Sequence, residues 1–456
     1  AADLVVAGDS VVVSSGAYAG FAVMQHSGTV ESPIVFTALG NDVHISTPSA
    51  YNDLDGINVE NVSWVVVEGF TVNGMPRAGI RTALSDHITI RYNSCNANGK
   101  WGILTGFAEH VLIEHNSCSG SLDEHGIYVS NSADDPIIRS NHCFDNWANG
   151  IHMNGDVSLG GDGVISNAQV YGNVIHGNGA GGGSGINCDG VSSSFIHDNL
   201  LYDNHASGIS LYRIDGGGPS MDNQVYNNTV VNASDGRWCM NITDGCTGNR
   251  LLNNILINQH SWRGSIAVAE DALPGFSSDH NILTTRLSPD GDATVLDLVE
   301  WQSLGYDANS QAAVALDALF VDAVGGDLHA ASPTAQQVDA GSAGVQDVVA
   351  DDLDGLPRPL GAGFDIGCYE YDGTTAIGMT KPSDPVEITV RGGLLHIEQA
   401  PTGAMLHWVD AVGRGIAEPT LIGTPYVGPL PQGAVVIAVL RGKSGHLLGT
   451  RSFIKP

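Results

Sequence analysis

Tyrosines, histidines, carboxamides and acids recur in this sequence at intervals that line them up in rows. Counting from Ile57, Ile80, Ile103, Ile127, Ile151, Ile186 and Ile209, each preceded by glycine, the next residue reads Asn58, Arg81, Leu104, Tyr128, His152, Asn187 and Ser210. Three positions after each isoleucine the row reads Glu60, Ala83, Gly106, Ser130, Asn154, Asp189 and Tyr212. If the isoleucines point inward along a strand, both rows point outward. From Tyr128 to Tyr212 they form a polar and aromatic stripe about four coils long, or ~15–20 Å at the interstrand spacing. The turns before the glycines add Lys100, Trp101, Glu124, His125 and Trp147, with Trp238 in the corresponding turn farther along. Aromatic faces beside polar groups suit a sugar, which offers an apolar C–H face and a hydroxyl rim. Arg81, Lys100, Trp101, Trp147, Asn154, Asn187, Tyr212, Asp215 and Trp238 are therefore the expected substrate contacts.

Three chemistries fit these residue types. Elimination on a uronic-acid polymer, or C5 epimerisation, needs a group that neutralises the carboxylate, a base for the adjacent carbon and an acid for the leaving oxygen. Arg213, Arg81 or a bound Ca2+ would neutralise; His152, His125 or Lys100 would take the proton; Tyr128 or Tyr212 would return one. Hydrolysis needs two carboxyls ~5–5.5 Å or ~6.5–9.5 Å apart, and Asp189 with Asp156 or Asp215 is the available set. Asp156 and Asp162 are the expected calcium ligands, although acids beside glycine also stabilise turns. The third option is a glycan-binding adhesin or structural surface protein that transforms nothing. Elimination or epimerisation is the preferred reading, carried first by His152, Tyr128, His125 and Arg213, with Asp189 next.

The isoleucines that set these rows lie 23, 23, 24, 24, 35 and 23 residues apart. Such a period marks a solenoid whose units bury their apolar faces against neighbours. Short β-type runs such as HITIRYN and HVLIEHN fill each unit, with no helical periodicity between them. The fold expected is a right-handed parallel β-helix. Asn93, Asn116, Asn141 and Asn199 recur in phase as a structural asparagine ladder. Cys95, Cys118 and Cys143 recur as a core thiol ladder, while Cys239 and Cys246 are close enough in sequence for a local bridge. His87, His110 and His115 read as decoration of turns and outward faces.

Acidic residues outnumber basic ones 49 to 18, a formal charge of −31. Nucleic acid and anionic membranes are poor partners for that surface, because both require a basic footprint; neither nucleic-acid binding nor membrane insertion is expected. No apolar run is long enough to span a bilayer. The start at AADLVV reads as a mature chain whose signal peptide has been removed, which places the protein outside the cell or on its surface.

Residues 1–50 read as an N-terminal cap and 51–285 as the coils. Within 286–375, ALFVDAVGGDLHAASPTAQQVDAGSAG and DLDGLPRPLGAGFDIGCYEY resemble the choice-of-anchor segment that closes many bacterial surface β-helices. After the linker DGTTAIGMTKPSDP, residues 385–456 alternate like a small β-sandwich. There WVDAVGR, LPQGAVVIAV and TRSFIKP resemble a type IX secretion sorting domain, which implies the type IX machinery as a partner. The coils themselves resemble the pectate-lyase-like superfamily, whose members include polysaccharide lyases, hydrolases, epimerases and adhesins. One departure stands out: no lysine–arginine pair lies one coil apart, as it does in known β-helix lyases.

Overall fold

The Gly-Ile pairs stack in register. Ile57, Ile80, Ile103, Ile127, Ile151, Ile186 and Ile209 are neighbours in one ladder, continued by Met240 and Ile266. All are fully buried. Glycine precedes them because the coils approach closely at this corner. A Cβ on Gly79 would sit 2.7 Å from the Gly102 carbonyl oxygen, and one on Gly102 would sit 2.6 Å from that of Gly126. In this computed structural model, residues 2–40 and 42–373 and the strands of the C-terminal unit are described. The chain divides into compact units at 1–375 and 376–456.

The first unit is a parallel β-helix of three sheets, with 11, 12 and 11 strands. Its core is one continuous column of apolar side chains, as expected when each coil buries its face only on its neighbours. Residues 1–50 are themselves coiled. Ser10–Val13, Gly16–Ala19 and Phe21–Val23 begin the three sheets and pair in parallel with the next coil. Both long intervals leave the stack as loops, since Ile151 pairs Ile186 and Ile209 pairs Met240 without slippage.

The side-chain ladders run inside this frame. The Asn93 amide donates to Asn116 at 3.0 Å, and the relay continues through Asn141, Asn173, Asn199, Asn228, Asn254 and Asn281. Asn173 sits behind the first long loop, out of phase in sequence but in phase in space. Cys95, Cys118 and Cys143 stack as buried neighbours. All seven cysteines are free thiols, so Cys239 and Cys246 form no bridge.

The segment after the coils has two jobs. Helix Leu298–Ser303 places Trp301 in the core column, and its indole N–H donates to Asp307 at 2.7 Å. Residues 316–371 then fold back along the flank of the coils, covering Leu200, Val231, Ile255 and Ile257 with Leu319, Phe320, Leu328, Ile366 and Cys368. The Arg358 side chain, fully buried, pairs with Asp198 of the coils at 2.8 Å and with Glu370 at 2.6 Å. Cys368 N–H donates to Thr229 Oγ1 and Gly367 N–H to the Asn253 carbonyl. Most of the anchor-like motif thus docks on the side of the solenoid rather than across its end.

In the second unit, strands Glu387–Arg391, Leu394–Glu398 and Tyr426–Pro429 form one antiparallel sheet. Gly415–Leu421, Met405–Val409, Val435–Arg441 and Leu447–Ile454 form another. The linker 374–386 lies outside the described residues. So do residues 410–414, 430–434 and the last two, which carry part of the sorting-domain resemblance. Among the described residues no helix is long and apolar enough to cross a membrane.

Candidate functional site

The outward rows assemble as the spacing requires. Tyr128, His152, Asn187 and Ser210 are lateral neighbours, as are Ser130, Asn154, Asp189 and Tyr212. The stripe is not an open polar floor, however. His152, Asn154, Asn187, Asp189 and Ser210 are all buried, while Tyr128 and Tyr212 stay partly exposed above them. The aromatic side chains form a continuous stack that covers the floor: Trp101 on Tyr128 at 5.4 Å, and Tyr128 on His152 at 5.0 Å. His125 meets both Tyr128 and His152 edge-on.

Hydrogen-bond partners fix the protons in this cluster. The backbone N–H and side-chain amide of Asn149 both donate to His125 Nδ1, at 3.3 and 3.1 Å. Neutral His125 therefore carries its proton on Nε2, which lies 2.9 Å from His152 Nδ1. His152 Nδ1 accepts that proton's bond, so its own proton is on Nε2, facing the Tyr212 hydroxyl at 3.5 Å. Tyr212 oxygen also accepts the Asn187 amide at 3.0 Å. Two N–H groups thus converge on the Tyr212 oxygen, and its O–H is left to donate outward.

Both imidazoles are held neutral by burial, which drives His125 well below the ordinary histidine range and His152 down to about 3. Burial likewise raises Tyr128 to about 12 and pushes Tyr212 up further. The Tyr128 oxygen accepts the Asn154 amide at 3.2 Å, and that amide also reaches Asp215 at 3.4 Å. Neither His125 nor His152 keeps a lone pair for a substrate, so the base role expected of them does not follow from this arrangement.

The cations divide sharply. Arg81 is paired with Glu60 at 2.6 Å in a separate cleft of about 250 Å³ lined by Tyr51, Asn52, Glu60, Arg77 and Arg81, two coils from Tyr128. Lys100 lies over the Trp101 ring, between Glu124 at 3.5 Å and Asp123 at 3.7 Å. Arg213 is exposed, donates through Nε to the Gly216 carbonyl at 3.3 Å, and forms no ion pair among the described residues.

The acids are mostly structural. Buried Asp189 accepts the backbone N–H groups of Ile214, Asp215 and Gly216 at 2.9–3.0 Å. It holds the Arg213 loop in place through these bonds, a structural role distinct from the one expected of it in a hydrolytic pair. Asp156 accepts Ser158 N–H and Asp162 accepts Val164 N–H, both at 2.9 Å, as turn acids do. The two long loops meet where Val157 N–H bonds the Asp215 carbonyl and Gly217 N–H that of Gly163, walling one end of the stripe. Trp147 is 49 % exposed and free to stack on a sugar; Trp238, at 3 %, is core and cannot.

Among the described residues, the group whose donor atoms converge closely enough for a metal ion is Asp86, His87 and His110, on a different corner of the solenoid, rather than Asp156 and Asp162. Asn149 and this second cluster were not singled out from the sequence. The 23-residue step from His87 to His110, equal to one coil, was the available signal.

Residues 38–267 match the family model described as periplasmic copper-binding protein (NosD). No curated protein matches the sequence. Among solved structures, pectate lyase Pel9A is similar over 81% of this chain and 89% of that chain, at 13% identity and a TM-score of 0.53. At that identity the likeness is one of fold. Alginate lyase from Paenibacillus sp. str. FPU-7 matches over 57% of this chain and 90% of its own, at 17% identity and a TM-score of 0.41. The A-module of Azotobacter vinelandii mannuronan C-5 epimerase AlgE6 matches over 59% and 90%, at 13% identity and 0.39.

Proposed function

This chain belongs to the NosD family, and we propose that it is an exported β-helix that acts on a uronate-containing polysaccharide by elimination or C5 epimerisation. The observation that carries this reading is the Tyr212 hydroxyl, whose oxygen receives N–H groups from both His152 and Asn187. As Tyr212 gives its proton to the leaving oxygen, those two donors stabilise the phenolate that forms. Tyr128, on the other side of His152, takes the C5 proton as its own phenolate. The C5–H electrons become the C4–C5 double bond as the C4–O bond breaks, and solvent returns the proton from Tyr128 to Tyr212. In the epimerase variant Tyr212 instead reprotonates C5 from the opposite face. Arg213 neutralises the substrate carboxylate, and Trp101 and Trp147 stack on sugar rings. Ca2+ is the other group that would neutralise that carboxylate.

The fold shared with a pectate lyase supports this reaction class. The family description also names copper, but His125 and His152 engage each other and Asn149, so the stripe itself provides no such site. The C-terminal motifs support export through the type IX machinery.

The test is turnover of acidic polysaccharides, with and without Ca2+, followed by ultraviolet absorbance of unsaturated ends and by NMR of C5 configuration. Because Tyr128 ionises only at about 12, kcat/KM should rise about tenfold per pH unit from pH 7 to 10. Tyr212→Phe should lower kcat by ~10²–10⁴-fold with binding retained. Polymers that bind but never change, in a panel spanning these pH values, would instead identify a glycan-binding surface protein. That second reading is favoured by one observation, the closed hydrogen bonding of both imidazoles.

A further inference from the structure

We propose that Asp86, His87 and His110 form a binding site for a divalent transition-metal ion on an outer corner of the β-helix. This corner takes one residue per coil in the left-handed backbone region: Trp64 (φ 58°), His87 (φ 53°), His110 (φ 50°) and Asp135 (φ 54°). Among residues other than glycine, Asn, Asp and His adopt this backbone most readily, so the turn admits histidine in successive coils. Two successive coils use it here, under a tryptophan. Because the corner repeats in register, the rings stack: Trp64 on His87 at 3.9 Å and His87 on His110 at 4.4 Å.

The Asp86 carboxylate stands beside both imidazoles. Its Oδ2 is 2.8 Å from His87 Nδ1 and its Oδ1 is 2.9 Å from His110 Nδ1. The second contact is a hydrogen bond. The first is an ion-pair contact, off-line for a hydrogen bond at a buried nitrogen. The Nδ1 atoms of both imidazoles thus converge on one carboxylate, which brings three donors to one point of the corner.

One ligand atom from each residue lies within 4.8 Å of the others. Donors at ~2.0–2.2 Å from one ion are at most about 4 Å apart, so side-chain rotations of less than about 1 Å close the set. A metal-bound histidine usually offers its other ring N–H to a carboxylate. Here His110 Nε2 faces Asp135 Oδ2 at 3.5 Å. The side chains of Asp86, His87 and His110 are 33–45% exposed, which gives an ion a path in and leaves room for water as a fourth ligand. Two imidazoles with one carboxylate select a borderline ion, Zn2+ or Cu2+, with Cu2+ bound more tightly. The His142–His176 pair, with Nε2 atoms 2.8 Å apart, belongs to no such three-donor group among the described residues and serves as the control.

The experiment titrates chelator-treated, untagged full chain with CuCl2 or ZnCl2 and measures bound metal after dialysis. One equivalent is expected, with two nitrogen couplings in the Cu2+ electron paramagnetic resonance spectrum. His110→Ala should remove one coupling and weaken binding at least tenfold, Asp86→Asn should weaken it similarly, and Asp135→Asn should weaken it about tenfold. His142→Ala should change nothing. His110 is a surface side chain, and an unchanged circular dichroism melt of the metal-free variant confirms that it folds. Absence of stoichiometric binding, binding unaltered by both His110→Ala and Asp86→Asn, or loss on His142→Ala would each overturn the site.

Discussion

Acid should expose the neutral state of the buried imidazoles, and His152→Gln isolates its magnitude. His152 is 8% exposed, and burial alone brings its pKa to about 3. In the unfolded chain the same group titrates near ~6.5. Between pH 7 and 5 the unfolded state therefore gains about 0.7 proton at this position and the folded state gains almost none. A histidine with a depressed folded-state pKa loses its contribution as pH falls, and over this interval the loss is about 2 kcal/mol. His125 acts in the same direction. Asp352 and Asp365 oppose it. Burial raises both to about 6, so each stabilises the fold by about 1.3 kcal/mol as pH drops from 7 to 5. His142, lowered to about 4 by burial, adds to the loss, and His329, which against its burial is held at about 9 by Asp354 and Asp327, opposes it. The wild-type slope sums many groups and decides little; the difference between two proteins decides. Gln at 152 keeps an N–H to direct at Tyr212 but does not titrate. The variant should lose about 2 kcal/mol less than wild type on acidification, read from urea unfolding at both pH values. Hydrogen exchange at the 151–154 amides keeps the readout local, since solenoids unfold in parts. Equal acid slopes in the two proteins, or a His152 imidazole titrating above pH 5 by NMR, would refute the reasoning.

Arg358→Met should cost about 3–5 kcal/mol, because it leaves the Asp198 and Glu370 carboxylates buried and unpaired. The effect should appear as protease cleavage within 316–371 at doses that spare wild type, with the coils still folded. Trp101→Ala should weaken polysaccharide binding about fivefold, by loss of about 1 kcal/mol of stacking. Trp238→Phe should leave it unchanged, because that ring is core; affinity electrophoresis measures both.

The coils were legible because a parallel β-helix repeats the same contact in every turn. A glycine demanded by backbone approach and an isoleucine demanded by the core recur together, and both leave their period in the sequence. Asn173 escaped for the same reason. Its ladder position is spatial, and the loop puts it 22 residues after Ile151 instead of 13 or 14, which hides it from counting along the chain. The docking of 316–371 was illegible in a different way. The motif supplied Arg358 and Glu370, but Asp198, 160 residues from the arginine, completes the ion pair. Nothing in local spacing marks an aspartate at a coil corner as the partner of a distant tail.

The site shows where such counting stops. Alternation along the strands places Tyr128, His152, Asn187 and Tyr212 on one face, but it does not say which nitrogen carries a proton. That depends on Asn149, which lies in a turn and belongs to neither row, and whose two N–H groups force His125 to present Nε2–H. From that single constraint the direction of every later bond follows: His125 to His152, His152 to Tyr212. The histidines thereby become donors that support a phenol rather than bases that face a substrate. The same logic makes Asn149→Asp informative. A carboxylate there would accept from Nδ1–H, reverse both tautomers, and leave His152 Nε2 with a lone pair toward Tyr212. If Tyr212 acts as a proton donor assisted by His152 N–H, the variant should lose kcat with little change in KM, and His152→Gln in the same background should restore part of it. Retention of full kcat in Asn149→Asp would show that the direction of this relay does not matter to the reaction.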